Sequence, residues 1–147
     1  MKLAASACLA GKACRYDGKA KPSREILGRI ASGEEFLLIC PECLGGLRAP
    51  RVPSEIAGTG KAVLEGAAKV IGKDGTDRTE QFLAGAQAAL AQLKNAGIEK
   101  VYLKSKSPSC GMGEIYDGTF TGKLAAGNGV AAELFLQNGI EVVCIDE

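Results

Sequence analysis

Glu34-Glu35-Phe36-Leu37-Leu38-Ile39-Cys40-Pro41-Glu42-Cys43 is the stretch whose reading decides the fold class. Its apolar run is unbroken between a pair of acids and a proline. A strand with one wet face alternates; a continuous run bounded in this way reads as a buried strand of a parallel α/β sheet. Before it, residues 2–7 read as a short first strand with Cys8 at its end. A loop over residues 11–22 follows. Ser23 then caps a helix over residues 24–30, with Ile26, Leu27 and Ile30 on one face and Gly33 as its stop.

After the run, residues 41–60 carry Pro41, Pro50, Pro53 and several glycines, and read as a long irregular loop of the kind that often carries function. Ala62-Val63-Leu64 and Lys69-Val70-Ile71 predict a small hairpin. Thr76 opens the clearest helix, which runs to about Ala96 with Phe82, Leu83, Ala86, Leu90 and Leu93 at helical spacing. Residues 100–103 form another strand, residues 105–113 a Ser/Pro/Gly-rich loop, and residues 115–121 a second hairpin. Asn128 caps a helix through Gln137, and residues 141–145 are the last strand. Strands alternating with helices predict a single α/β domain over residues 1–147: a mostly parallel, Rossmann-like sheet with flanking helices and small hairpin excursions.

Composition removes several function classes. The 147 residues carry 18 Lys+Arg against 17 Asp+Glu, so the net charge is +1. Nonspecific nucleic-acid binding needs a clear positive excess, and none is present. The chain has no His, which excludes His-based triads, His metal ligands and the usual general base near neutral pH. Chemistry falls to Cys, carboxylates, Ser, Tyr and Lys/Arg. Lys2 and Ala5-Ser6-Ala7 before Cys8 imitate a cleavage site, but only Leu3 and Ala4 lie between, too few for the apolar core of a signal peptide. No run approaches a membrane span. A cytoplasmic protein without a membrane partner is expected, in which thiols stay reduced. Nothing in the sequence specifies an oligomer.

The six cysteines are then more readily ligands or reactive groups than disulfides. Cys8 and Cys40 end strands, and Cys110 lies in the loop after a third. Parallel sheets bind ligands at the carboxyl ends of their strands, so these thiols can converge although distant in sequence. Cys14 can join them. Cys144, inside Val142-Val143-Cys144-Ile145, reads as a small buried hydrophobe. Three uses compete. Cys40-Pro41-Glu42-Cys43 has the spacing of a redox pair, but Leu44-Gly45-Gly46 is poor material for the helix that usually activates one. Zinc would need four ligands from Cys8 or Cys14, Cys40, Cys43 and Cys110, and lacks the usual second paired knuckle. An iron–sulfur cluster suits soft thiolates equally well.

Several segments together carry a resemblance. They are Ser6-Ala7-Cys8-Leu9-Ala10-Gly11, Cys14-Arg15-Tyr16-Asp17-Gly18, Cys40-Pro41-Glu42 with Leu44-Gly45-Gly46-Leu47, and Pro50-Arg51 with Pro53 and Glu55-Ile56. Further on come Leu103-Lys104-Ser105-Lys106-Ser107-Pro108-Ser109-Cys110-Gly111 and Ile115-Tyr116-Asp117-Gly118-Thr119-Phe120. In order and across nearly the whole chain, this resembles the family catalogued as domain of unknown function 523. Some of its members look like thiouracil desulfidases, which hold a [4Fe-4S] cluster by three cysteines and remove sulfur without net redox chemistry. The resemblance implies Cys8, Cys40 and Cys110 as ligands, with Cys14 as the alternate. Cys43 departs from the family pattern and is either an incidental thiol or a fourth ligand. The implied partner is a small thiolated substrate.

Three protein thiolates leave one iron open to the soft sulfur of a C=S group, and a base must then activate water. Glu42, two residues from Cys40, is the candidate base and then acid. Ser107 and Ser109 flank Pro108 beside Cys110, and a hydroxyl there can orient substrate or water; Ser107 is preferred and Ser105 is second. Gly45 and Gly46 are expected to let backbone amides approach the site. Arg15, Asp17, Arg51 and Asp117 are candidates for its polar walls, or else for surface ion pairs. Gly58-Thr59-Gly60-Lys61-Ala62 imitates a phosphate loop but has Ala62 where Ser or Thr is needed.

Overall fold

A computed structural model describes residues 3–147. β1 (Leu3–Ser6), β2 (Phe36–Ile39), β5 (Lys100–Lys104) and β8 (Glu141–Ile145) form one four-stranded sheet of order β2-β1-β5-β8. Every neighbouring pair in it is parallel. The expected start of β1 at Lys2 lies outside the described residues. β1 connects outward to β2, and its other neighbour is β5, so the strand order reverses between β1 and β5. Ligands of open α/β sheets bind at such a switch point, beyond the carboxyl ends of the strands.

The strands keep the period of two that a sheet covered on both faces requires. Ala4, Val101, Leu103 and Val142 face a core built with α4 (Thr79–Asn95) and α5 (Val130–Gln137). Ala5, Tyr102 and Ile145 face the other way, toward Ile26 of α1 (Arg24–Ala31) and Leu9. Phe135 and Leu93 are fully buried on the first side. The Ser23 hydroxyl accepts from the Ile26 N–H at 3.3 Å, which starts α1 as expected.

Several local expectations are corrected. The Phe36–Ile39 run is an edge strand, so Phe36, Leu37 and Leu38 are half-buried and only Ile39 is buried. The loop over residues 41–60 contains a one-turn helix, α2 (Pro41–Leu44), and β3 (Ser54–Ile56). Ala62-Val63-Leu64 is not a hairpin arm. The Thr59 hydroxyl accepts from the Ala62 N–H at 3.1 Å and opens α3 (Gly60–Leu64), while β4 (Val70–Gly72) pairs antiparallel with β3. α4 starts at Thr79 rather than Thr76, because the Asp74 and Asp77 carboxylates take the Thr76 and Thr79 N–H groups and hold that segment as turns. Gly129, not Asn128, caps α5; Asn128 accepts from the Gly113 N–H and donates to Glu133. The second hairpin pairs β6 (Glu114–Tyr116) with β7 (Leu124–Ala126), longer than expected. No helix among the described residues is long and apolar enough to cross a membrane.

Candidate active site

A cleft of about 670 Å³ opens at the carboxyl ends of β1, β2 and β5. Cys8 enters it from a 3-10 turn (Ala7–Ala10) that continues β1. Cys40 enters it as the residue joining β2 to α2. Cys110 enters it from the loop after β5, and Cys14 from the loop after Cys8. Cys8 and Cys110 are buried; Cys14 and Cys40 are half-buried. The convergence of the strand-end cysteines anticipated from the order of elements is therefore met in space. Cys43 does not line the cleft. Its sulfur and that of Cys40 both lie 3.8 Å from the Cys14 carbonyl oxygen. Cys144 is half-buried rather than buried, because β8 is the other sheet edge.

Two close approaches fix these segments. α2 crosses α4 backbone to backbone. A Cβ at Gly45 would run into the Gln81 carbonyl, and one at Gly85 into the Pro41 carbonyl. Gly45 thus serves to dock α2, rather than to bring amides to the cleft. The Cys110 loop is seated on α5. Pro108 and Ser109 carbonyls accept from the Val130, Ala131 and Ala132 N–H groups, so the first turn of α5 is capped by the loop it supports.

Glu42 reaches into the same cleft and both of its oxygens are engaged. Arg51 Nε donates to Oε1 at 3.1 Å, and Ser109 Oγ donates to Oε2 at 2.8 Å. Arg51 Nη1 also donates to the Arg48 carbonyl at 2.9 Å, which locks the guanidinium in place. Ser107 Oγ lies 3.3 Å from Ser109 Oγ and accepts from the Cys110 N–H at 2.7 Å. A serine hydroxyl has one proton to give. Ser109 directs its proton to a carboxylate, so in the serine pair Ser107 is the donor. The bonds run Ser107 to Ser109 to Glu42. The sequence favours Ser107 over Ser109, and it is Ser109 whose hydroxyl contacts Glu42. The sequence places Arg51 only among candidate polar walls; nothing in the spacing of residues 42 and 51 signals that they meet. Ser105 belongs to a different network, accepting from Lys104 Nζ and donating to Asp146. Arg15 lines the cleft and pairs with Asp17 at 3.6 Å, while Asp117 binds Thr119 in its own turn.

Cys14, Cys40, Cys43 and Cys110 are shifted toward their neutral form. Burial pushes Cys110 up to about 12, against the neighbouring Ser6 and Ser109 hydroxyls that lower it. Contact with Cys14, then burial, raises Cys40. Burial raises Cys43 to about 11, aided by Cys40. Cys14 is lowered by Cys40, but contact with Cys8 and burial outweigh this and bring it to about 11. Crowded, buried sulfur of this kind is costly to ionise unless a cationic group takes the charge, and a metal deprotonates such thiols outright. Among the described residues, no three Cys, Asp or Glu side chains converge tightly enough to hold a single metal ion. The zinc expectation finds no matching geometry. Soft donors spread over several walls of one cleft fit a broader iron–sulfur body, which takes thiolates around its periphery.

Comparison with known proteins identifies the family. The profile of the 2-thiouracil desulfurase family matches residues 3–147. The chain belongs to the 2-thiouracil desulfurase family. Within reach of this family member is the uncharacterized protein YbbK of Bacillus subtilis (strain 168), 44% identical over 143 residues, which cover 97% of this chain and 94% of YbbK. Among solved structures, the [4Fe-4S]-dependent thiouracil desulfidase TudS (DUF523Vcz) matches with a TM-score of 0.83 and 39% identity, covering 97% of this chain and 89% of TudS. The mixed α/β architecture of this desulfurase-family chain is thus shared with TudS over almost its full length.

Proposed function

We propose that this chain is a [4Fe-4S]-dependent desulfidase. It would remove sulfur, as sulfide, from a thiolated nucleobase of the 2-thiouracil kind or a similar small thiocarbonyl compound. The balance is a hydrolysis: C=S and water give C=O and hydrogen sulfide, with no net oxidation or reduction. The observation that carries this reading is the meeting of Cys8, Cys40 and Cys110 with the Glu42–Ser109–Ser107 chain in one cleft. The likeness to TudS, a [4Fe-4S]-dependent thiouracil desulfidase, supports it. The reduced thiols it requires suit the cytoplasm.

Cys8, Cys40 and Cys110 are the residues assigned to hold the cluster, with Cys14 as the alternate. When bound, the cluster supplies a Lewis-acidic iron whose softness matches thiocarbonyl sulfur. The remaining chemistry belongs to side chains of this protein. Glu42 is the base: its carboxylate takes the proton of the attacking water, directly or through Ser107 and Ser109. The same carboxyl then returns a proton to the departing sulfur. Arg51 holds Glu42 in one orientation, so the carboxylate need not be ordered at the moment of reaction. Ser107, anchored by the Cys110 N–H, orients water or substrate beside the sulfur ligands.

The test is iron and acid-labile sulfide content of protein reconstituted without oxygen, followed by sulfide release from 2-thiouracil. About four irons and four sulfides per chain are expected of a cubane cluster, together with stoichiometric formation of uracil. Zinc alone, with no labile sulfide after reconstitution and no turnover, would end this reading and leave a binding module.

A further inference from the structure

Among the described residues, two non-glycine positions have left-handed backbone: Lys106, with φ 69°, and Phe120, with φ 57°. Both line the thiol cleft. A bulky side chain in this region is held at an energetic cost, and such residues concentrate where ligands are gripped. Phe120 sits at the tip between β6 and β7, where Gly118 and Gly122 already supply the turn. The tip is tied down. One carboxylate oxygen of Glu55, on β3, accepts from the Gly118 N–H at 3.0 Å and the Phe120 N–H at 3.1 Å. Gly118 lies so close to Ala57 that a Cβ would meet its backbone. The hairpin therefore presents Phe120, with Tyr116 of β6, to the cleft.

We propose that Phe120 is a substrate-binding residue whose ring stacks on the planar heterocycle of the thiolated substrate, and that Glu55 latches it in place. This rests on the desulfidase reading for the identity of the ligand. Aromatic side chains hold nucleobases by their π-faces without reading their edges, which suits a cleft whose lining, among the described residues, contains no Asn or Gln side chain. Stacking acts on the ring, so it is indifferent to whether sulfur or oxygen occupies the exocyclic position.

The test uses cluster-loaded protein, with 2-thiouracil in steady-state kinetics and both 2-thiouracil and uracil in calorimetric titrations. Phe120→Leu is expected to raise KM about tenfold and to weaken binding of both rings alike, with kcat and iron content unchanged. Phe120→Trp and Phe120→Tyr are expected to restore affinity to within about twofold. Glu55→Ala, which frees the tip, is expected to raise KM as Phe120→Leu does. If Phe120→Leu binds both rings within twofold of the unaltered protein, or if the Trp and Tyr variants are as impaired as Leu, the stacking role is overturned. If Phe120→Leu does not fold, the Trp and Tyr titrations alone decide. The unaltered protein's failure to release sulfide would remove the desulfidase reading; the uracil titrations would still decide the stacking wall.

Discussion

Arg51 donates to Glu42 through Nε at 3.1 Å, and the two side chains are only 7% and 15% exposed. A carboxylate withdrawn this far from water is normally found paired. This pair lines the cleft beside the thiols, with Ser109 on the other carboxylate oxygen. Removing either partner therefore tests orientation and folding together, and the two can be separated.

Arg51→Met leaves Glu42 with a lost counter-charge. Breaking a buried pair costs about 3–5 kcal/mol, and the partial exposure here puts the expected loss at the lower end, about 3 kcal/mol in a denaturant titration. Arg51→Met with Glu42→Gln is expected to recover most of that stability, because no charge is then stranded. The double variant is expected to remain inactive.

Glu42→Gln keeps the shape and, through its carbonyl oxygen, the Arg51 contact; its amide nitrogen faces Ser109 as a donor, and it cannot accept the proton. Loss of a positioned general base removes about 10²–10⁴ in rate. Sulfide release from 2-thiouracil is expected to fall by at least about a hundredfold with iron content intact. Unchanged turnover would take Glu42 out of the mechanism. Ser109→Ala, which breaks the chain of hydroxyls, is expected to lose more than Ser105→Ala, since Ser105 serves Lys104 and Asp146 instead.

Ligand choice is read by visible absorbance after anaerobic reconstitution. Cys8→Ser, Cys40→Ser and Cys110→Ser are each expected to lose the cluster band. Cys14→Ser and Cys43→Ser are expected to keep it. Retention in Cys8→Ser with loss in Cys14→Ser would transfer the third ligand to Cys14. Cys43, outside the cleft lining, is expected to matter least.

The metal-free protein has a pH dependence of known sign. Cys14 and Cys43 are raised from 9.0 to about 11 and Cys110 to about 12, so the folded state favours the protonated thiols. That contribution is complete below pH 9, the ordinary thiol value. It is lost as pH rises through about 11 and 12, where the unfolded chain binds fewer protons than the folded one. The denaturation midpoint of metal-free protein is expected to fall between pH 9 and 11, and alkylation of these cysteines to be slow near neutral pH, since the thiolate is the nucleophile. A midpoint flat across this window would contradict the buried-thiol description.

Gly45→Ala tests the seat of the Cys40 turn. The added methyl has backbone, not a flexible side chain, in its way. α2 must move off α4, at a cost of about 1–3 kcal/mol as for other overpacked sites. Cluster retention is expected to suffer with it, since Cys40 opens that helix. Gly46→Ala, at a left-handed position with open space around it, is expected to cost only the strain of its φ.

Much of this architecture is legible in local pattern. The apolar runs at residues 36–39, 100–103 and 141–145, the stripe from Phe82 to Leu93 and the Ser23 cap are decided by neighbours in sequence, and the sheet and its main helices follow from them. The strand reading fails at residues 62–64, where a Thr59 cap outweighs apolar content; at Phe36–Ile39 the strand forms, but at a sheet edge that no local pattern reveals. Cys8, Cys40 and Cys110 can be placed at strand ends from sequence because the alternation of elements already says where each strand stops.

What the sequence by itself determined is therefore the α/β class, the strand-end position of those thiols and the carboxylate two residues from Cys40. Strand order, the grip of Arg51 and Ser109 on Glu42, the exclusion of Cys43 from the cleft and the latch of Glu55 on the Phe120 tip were decided only by tertiary structure. The physical reason is range. Propensity, capping and hydrophobic period act over a few residues, whereas Glu42 meets a serine 67 positions away and Glu55 an amide 65 positions away. Such pairs form only after burial has chosen which faces pack, and no spacing along the chain encodes them.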